Sequence, residues 1–173
     1  MNDGLIDLFR HNAWDSRELL NMCEGLSEVD LDATVVGTYG SIIDTFRHYI
    51  RSESGYYRRL TGDEPKWLAT PDDEPGLAEL SRRNDEMERR WMRLLEQPFD
   101  AERTHLMHWH DGTDRDVPAG VILAQAIHHG SDHRSQICTI LTTLGVTIPP
   151  MGLWDYAEAT DRARQRVTGG AAE

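Results

Sequence analysis

The chain has 173 residues, a length typical of one domain with its own hydrophobic core. Its 30 acidic and 18 basic side chains give a formal net charge of −12 at pH 7, which disfavours binding to nucleic acid or to anionic membranes. The sequence has two isolated cysteines, no apolar run of membrane-spanning length and no secretory leader pattern, and we therefore expect a cytoplasmic protein.

Apolar periodicity predicts two long helices in the first third of the chain. The first runs from about Gly4 to Gly25, with apolar or small residues at i, i+3 and i+4 spacing. The second begins after the stretch TYGS, with Ser41 as its N-cap, and ends near Thr61-Gly62. The segment from Thr61 to Gly76 is rich in proline, glycine and acidic residues, which predicts a connection.

A third helix, a hairpin and a fourth helix are predicted next. The third helix has apolar residues on one side and ends before Pro98. Asp111-Gly112 is a favourable turn pair and predicts a short hairpin between Phe99 and Pro118. The fourth helix runs from about Ala119 to Leu144. One side of the third helix carries Leu77, Leu80, Asn84, Met87, Trp91 and Leu94, and the other side carries arginine and glutamate.

A last short helix is predicted from Trp154 to Val167, followed by a disordered tail over residues 169–173. Four long helices with short or medium connections predict an all-α protein, a four-helix bundle with additions. The bundle and its additions are expected to form a single domain over residues 1–168.

The fourth helix contains IHHGSDHRSQI, with three histidines in seven positions. Its apolar stripe continues through the middle of the helix onto His129 and His133, whereas His128 falls on a polar side. The stripe consists of Ile122, Ala126, His129, His133, Ile137, Ile140 and Leu144.

Two imidazoles four residues apart on an inward helical face can share one cation, as in the HExxH pair of zinc proteases. Gly130 stands where that motif has its glutamate, which excludes the protease interpretation. Unpaired buried rings cost about 1–3 kcal/mol each, so the alternative is a pair of core histidines that hydrogen-bond to other groups. Spacing alone leaves both alternatives open.

His48 on the second helix offers a third imidazole. It shares its side with small and polar residues rather than with the apolar stripe, which suits a cavity lining and a solvent-facing histidine equally well. These neighbours are Ser41, Asp44, Thr45, Ser52 and Gly55.

Three stretches carry a family resemblance: HNAWDSRELL, SIIDTFRHYIRSESGYYRRLTG and HHGSDHRSQICTILTTLGV. In order and spacing, and with the DGT hairpin before the fourth helix, the chain resembles the DinB/YfiT-like superfamily of metal-binding four-helix bundles. The resemblance covers nearly the whole chain and is most specific in H-x3-H-R-x-Q. Many relatives have a further histidine at the position of Asp132, which the periodicity places outward.

The resemblance implies an up-down-down-up bundle and one divalent metal ion, zinc or nickel, held by His48, His129 and His133. Three protein ligands would leave one coordination position open. Asp44 and Gln136 lie within a helical turn of ligands and are candidates to hydrogen-bond to the outer ring nitrogens.

Other residues are candidates with weaker support. His11 could approach the site from the first helix or could have a surface or capping role, and Trp14 and Tyr56 could line a substrate pocket or belong to the core. The histidines of THLMHWHDG could form a second metal site, but a polar loop is the better interpretation. These are His105, His108 and His110.

Some relatives are thiol-dependent transferases or isomerases, which implies a metal-dependent enzyme that acts on a small-molecule substrate with a low-molecular-weight thiol. The alternatives are a metal-hydroxide hydrolase and a non-catalytic stress-response or binding protein with a structural metal. The resemblance and the aromatic residues outside the stripes also predict a homodimer. These residues are Trp67, Trp109 and Trp154.

Overall fold

The computed structural model describes residues 3–70, 73–109 and 111–164. Within them lie six α-helices, one 3-10 turn and a two-stranded antiparallel hairpin. The long helices are α1 (Asp3–Cys23), α3 (Ile42–Thr61), α4 (Leu77–Leu95) and α5 (Ala119–Thr143). The short elements are α2 (Glu28–Leu31), the 3-10 turn (Lys66–Ala69), β1 (Thr104–His108), β2 (Asp114–Pro118) and α6 (Leu153–Ala159).

Local signals set the ends of the long helices, and the predicted boundaries are confirmed to within one or two residues. The Ser41 hydroxyl accepts the backbone N–H of Asp44 and caps α3. Gly62 ends the same helix with φ of 74°, in the left-handed region that glycine adopts without strain. Gly112 has φ of 78° in the hairpin turn, where the Asp-Gly pair predicts it.

Two expectations about the helices are wrong: where the C-terminal helix ends and the burial of Leu144. The C-terminal helix stops at Ala159, because Asp161 takes a left-handed φ of 56° and the N–H of Ala163 bonds back to the carbonyl of Ala157. Val167 and the tail over 169–173 lie outside the described residues. Leu144, at the end of the predicted inward stripe, is 38% exposed because α5 has already ended.

Trp67, one of the aromatic residues outside the stripes that support the homodimer prediction, packs inside the protein. It is buried, its indole N–H donates to Glu86, and the guanidinium of Arg83 covers its ring at 4.6 Å. Trp154, in contrast, is 84% exposed. The homodimer stays a prediction that now depends on fewer exposed aromatics. None of the described helices combines the length and apolar character needed to cross a membrane.

The four long helices run up, down, down and up. Helix α1 is antiparallel to α4, α3 is antiparallel to α5, and α1 is parallel to α5. Neighbouring residues show these directions. The α1–α4 pairs are Phe9–Trp91 and Ala13–Asn84, and the α3–α5 pairs are Tyr49–His133 and Tyr56–His129. The α1–α5 pairs are Leu5–Leu123 and Asp15–Arg134. Because α3 and α5 are neighbours, the second and fourth predicted helices face each other.

A buried polar network joins all four long helices. The Arg134 guanidinium on α5 donates to Asp15 and to Asn12 of α1, each at 2.7 Å. The amide of Asn12 donates to the carboxylate of Glu53 on α3 at 3.3 Å, and the indole of Trp91 on α4 donates to the same carboxylate at 2.7 Å. The network fixes the rotation of α5, the helix that carries the paired histidines.

Gly130 lets this network lie close to the α5 backbone. A Cβ atom at this position would be 2.9 Å from a guanidinium nitrogen of Arg134 and 2.9 Å from the Asn12 side-chain oxygen. Both atoms are held by hydrogen bonds inside the bundle and have little room to move. The glycine between the histidines is therefore a packing requirement of the arginine.

We expect Arg134→Met to lower the free energy of unfolding by about 3 kcal/mol, because it leaves the partly buried Asp15 carboxylate and the buried Asn12 oxygen without their donor. Urea unfolding followed by circular dichroism measures this loss. The matched control is Arg82→Met, which removes an arginine that is 54% exposed in its ion pairs and should cost less than about 1 kcal/mol. Equal losses in the two variants would contradict the structural role of the network.

Candidate metal centre

Three imidazoles from two helices meet at the α3–α5 interface. His48 on α3 lies opposite His129 and His133, which stand one helical turn apart on α5. His133 is only 7% exposed, whereas His48 and His129 are half-buried. The predicted inward direction of the two α5 histidines is confirmed, and His128 faces solvent next to Asp132.

The three rings present the same atom to one another. Nε2 of His129 is 3.2 Å from Nε2 of His48 and 3.2 Å from Nε2 of His133. The three ligand atoms all lie within 4.8 Å of one another. Two nitrogens that bind one zinc ion tetrahedrally at 2.0–2.1 Å stand about 3.3 Å apart, so these separations match a shared ion.

Gln136 determines which nitrogen of His133 carries its proton. The side-chain oxygen of Gln136 accepts the backbone N–H of Tyr39 at 2.9 Å, which identifies that atom as the oxygen. The same oxygen is 3.2 Å from Nδ1 of His133, so Nδ1 donates to it. The neutral ring then turns an Nε2 lone pair toward the other two histidines.

Hydrogen bonds among the three rings cannot use all of these nitrogens. Because Nε2 of His133 is an acceptor, Nε2 of His129 must carry a proton to donate to it. Nε2 of His129 then has no lone pair with which to accept from Nε2 of His48. Its single proton is already donated to His133, so its contact with His48 is left without a hydrogen bond. One cation in the middle satisfies all three lone pairs, so the donor set fits a divalent metal.

Burial keeps the triad in the form that binds metal. Loss of hydration lowers the pKa of all three histidines, and their mutual repulsion when charged lowers the pKa of His48 and His129 further. The pKa of His129 falls to about 4. The rings are therefore neutral imidazoles at neutral pH, which suits zinc, nickel and related ions.

Two tyrosine rings lie against the triad on different sides. The Tyr39 ring stacks on His48, with 4.0 Å between centroids, and meets the His133 ring at 5.3 Å. The Tyr56 ring meets His129 edge-on at 5.8 Å, as the interpretation of Tyr56 as a pocket residue requires. Tyr39 is absent from the sequence predictions, and its only signal is its place just before the Gly40-Ser41 start of the helix that carries His48.

The sequence profile of the DinB family matches residues 1–167. The chain belongs to the DinB family. Among solved structures, the chain is similar to YfiT from Bacillus subtilis, described as a probable metal-dependent hydrolase with an unusual four-helix bundle topology. The two are 16% identical, and the match covers 85% of this chain and 91% of that chain with a TM-score of 0.62. No curated protein sequence matches the chain significantly.

In this DinB-family protein, the two residues predicted to hydrogen-bond to outer ring nitrogens, Asp44 and Gln136, make different contacts. The Asp44 carboxylate accepts from the Ser41 hydroxyl and from Arg47, so it belongs to the α3 cap rather than hydrogen-bonding to His48 as predicted. Gln136 contacts His133 in the predicted manner.

His11 and Trp14 do not line the triad. Nε2 of His11 approaches the carbonyl oxygen of Met151 at 2.9 Å, and both rings pack against Tyr156 of α6. The prediction that they form a pocket at the site is wrong, because that face of α1 is covered by the C-terminal helix.

The hairpin histidines form no second centre among the described residues, where the triad is the one group of three metal-ligating side chains within reach of a shared ion. His108 pairs instead with Asp114, with Nδ1 and the carboxylate oxygen 2.5 Å apart. His110 lies outside the described residues.

We expect the metal-free protein to lose stability as the pH falls from about 6.5 to 4. The unfolded chain takes up protons at the ordinary histidine pKa near 6.5, whereas folded His129 stays neutral until about pH 4, so acid favours unfolding across this window. Thermal unfolding of chelator-treated protein should show a steeper pH dependence for wild type than for His129→Gln. Carboxylates titrate in both proteins and cancel in the difference. The exposed His128→Gln control should follow wild type, and identical slopes for all three would contradict the buried neutral triad.

Proposed function

We propose that this protein is a metal-dependent enzyme that holds one zinc or nickel ion on His48, His129 and His133. The convergence of three Nε2 atoms carries this proposal, because it leaves lone pairs that the protein's own protons do not satisfy. Structural zinc sites are usually closed by four protein ligands, whereas three ligands leave a position for a reactant. The donor set therefore favours catalysis over a purely structural metal.

When bound, the ion would act as a Lewis acid and lower the pKa of a thiol or a water molecule at its open position. The protein's own groups have separate roles. The three rings hold the ion, Gln136 fixes the orientation and tautomer of His133, and Tyr39 covers the His48 side of the centre.

The preferred nucleophile is a low-molecular-weight thiol, which would be transferred to an electrophilic small molecule or would assist its isomerisation. Among the described residues, no carboxylate hydrogen-bonds to a ring of the triad, and the partner of His133 is a neutral amide. A thiol has an ordinary pKa near 8.5 and loses its proton on metal coordination without a neighbouring base. This chemistry suits a centre surrounded by aromatic rings.

Hydrolysis is the second candidate. Three histidines with an open position can also hold a water molecule whose pKa falls to about 7. The description of YfiT as a probable metal-dependent hydrolase supports this alternative for a chain of the same fold. The two candidates require the same metal centre and differ in the nucleophile.

We expect the purified, untagged protein to bind about one divalent ion per chain, and His129→Ala or His133→Ala to abolish tight binding. Each substitution removes one of three ligands. Elemental analysis after dialysis, with titration of the apo-protein, measures stoichiometry and affinity. The neighbouring His128→Ala is the matched control, since that ring points to solvent. Loss of metal from His128→Ala and retention in His129→Ala would contradict the proposed ligand set.

The cobalt-substituted protein distinguishes the open position from a closed one. We expect a small thiol to add an intense sulfur-to-cobalt charge-transfer band, which imidazole and water ligands do not give. His48→Ala should lose this response, because it removes the ligand that joins α3 to α5. Thiol-dependent consumption of an electrophile by the wild type should be lost in the same variant. A spectrum that does not change at millimolar thiol would contradict the thiol proposal and would favour hydrolysis or a structural metal.

A further inference from the structure

A second feature of the α3–α5 interface is a cavity of about 540 Å³ beneath the β hairpin. We call it the hairpin cavity. Its volume lies in the range of small-molecule sites, about 300–1,000 Å³. Aromatic and aliphatic side chains make most of its wall: Tyr56, Met107, Trp109, Val117, Val121 and Ile122.

The hairpin cavity adjoins the metal centre. Tyr56 lines the cavity, and its ring also meets His129 edge-on at 5.8 Å. Gln125, also in the wall, lies one helical turn from His129 on α5. Ile122 continues the inward stripe two turns from His129, a distance of about 10 Å at 1.5 Å per residue. The cavity therefore lies along the same inter-helix groove as the triad.

The described lining selects an uncharged ligand. It contains no carboxylate, lysine or arginine side chain. His108 supplies a polar atom at the rim, because its Nδ1 donates to Asp114 and its Nε2 remains available for a hydrogen bond. Val121 is 55% exposed although it is an apolar residue on a long helix, as expected of a wall that a ligand covers.

A larger groove on the other side of α5 does not have this connection. It is lined by residues such as Leu8, Phe99 and Ile127, and it lies on the side of α5 that carries His128 rather than the triad. A molecule bound there would face away from the ring nitrogens.

We propose that the hairpin cavity binds the apolar arm of the substrate, an uncharged group of arylalkyl size, while the reacting end of the same molecule lies at the triad. The proposal rests on the metal centre proposed above and adds the chemical class that the centre accepts. Tyr56 is the wall shared by the two parts, and Trp109 and Val121 contact the arm.

The test uses the zinc-loaded protein and hydroxamates, which bind zinc directly. Isothermal titration compares acetohydroxamate, which has no arm, with a series of phenylalkyl hydroxamates of increasing length. We expect affinity to rise at least tenfold and to be greatest when the linker spans about 10 Å, the separation of Ile122 from His129. A short-armed benzohydroxamate should gain less.

Substitutions test whether the higher affinity of the armed hydroxamates arises in the hairpin cavity. Val121→Asp places a charge in the cavity wall and should remove the tenfold gain, while the affinity for acetohydroxamate stays unchanged. The matched control Ala124→Asp places the same charge in the groove on the other side of the same helix and should retain the gain. Trp109→Ala on the hairpin is a second, independent variant, and it should weaken only the long-armed probes.

The outcomes separate the two proposals. If acetohydroxamate binds but the arm adds nothing, or if Ala124→Asp removes the gain as fully as Val121→Asp, the hairpin cavity is not the arm site and the metal centre stands. If zinc does not bind at all, both proposals are overturned. A gain that depends on length and is lost in Val121→Asp and Trp109→Ala supports the cavity as the substrate arm site.

Discussion

The guanidinium of Arg134 is the constraint on which the rest of the structure depends. It is buried in the bundle, and it bonds to Asp15 and Asn12, through which Glu53 joins the same network. Burial raises the pKa of Glu53, and the nearby guanidinium opposes that shift. A buried arginine tolerates little movement of its partners, since any displacement leaves a charge unsatisfied. The rotation of α5 is thus set by polar contacts as well as by its apolar stripe.

The histidine triad depends on this fixed geometry. Residue 133 precedes the arginine, so the rotation that buries the guanidinium against α1 also turns the His133 and His129 rings toward α3. Glu53 belongs to the same helix as His48 and ties that helix to the network from the other side. Hydrogen bonds that do not involve the histidine nitrogens thus help to bring the three imidazoles together.

Periodicity predicted much of this arrangement. The stripe of α5 continues through His129 and His133, and that rule of spacing is enough to place both rings inward. It could not select His48, because a histidine among small residues suits a surface as well as a cavity, and the family resemblance supplied that choice.

Arg134 was missed since long charged side chains are usually exposed. Tyr39 was missed because the path of a loop across a neighbouring helix is not encoded in any repeat. For His11 and Trp14, the pattern predicted the helix that carries them, but not that the C-terminal helix packs over their side of it.

The small side chain at position 130 has a consequence for how this stretch can vary. Any larger residue there would meet the guanidinium and the Asn12 oxygen, both at 2.9 Å. Replacement of the glycine would thus displace the guanidinium, and a shorter residue at position 134 would relieve the contact but leave Asp15 without its donor. Positions 12, 15, 130 and 134 are coupled and should change together in related sequences rather than one at a time. The histidines on either side of the glycine take no part in this coupling, so the chemistry of the centre can vary while its framework stays the same.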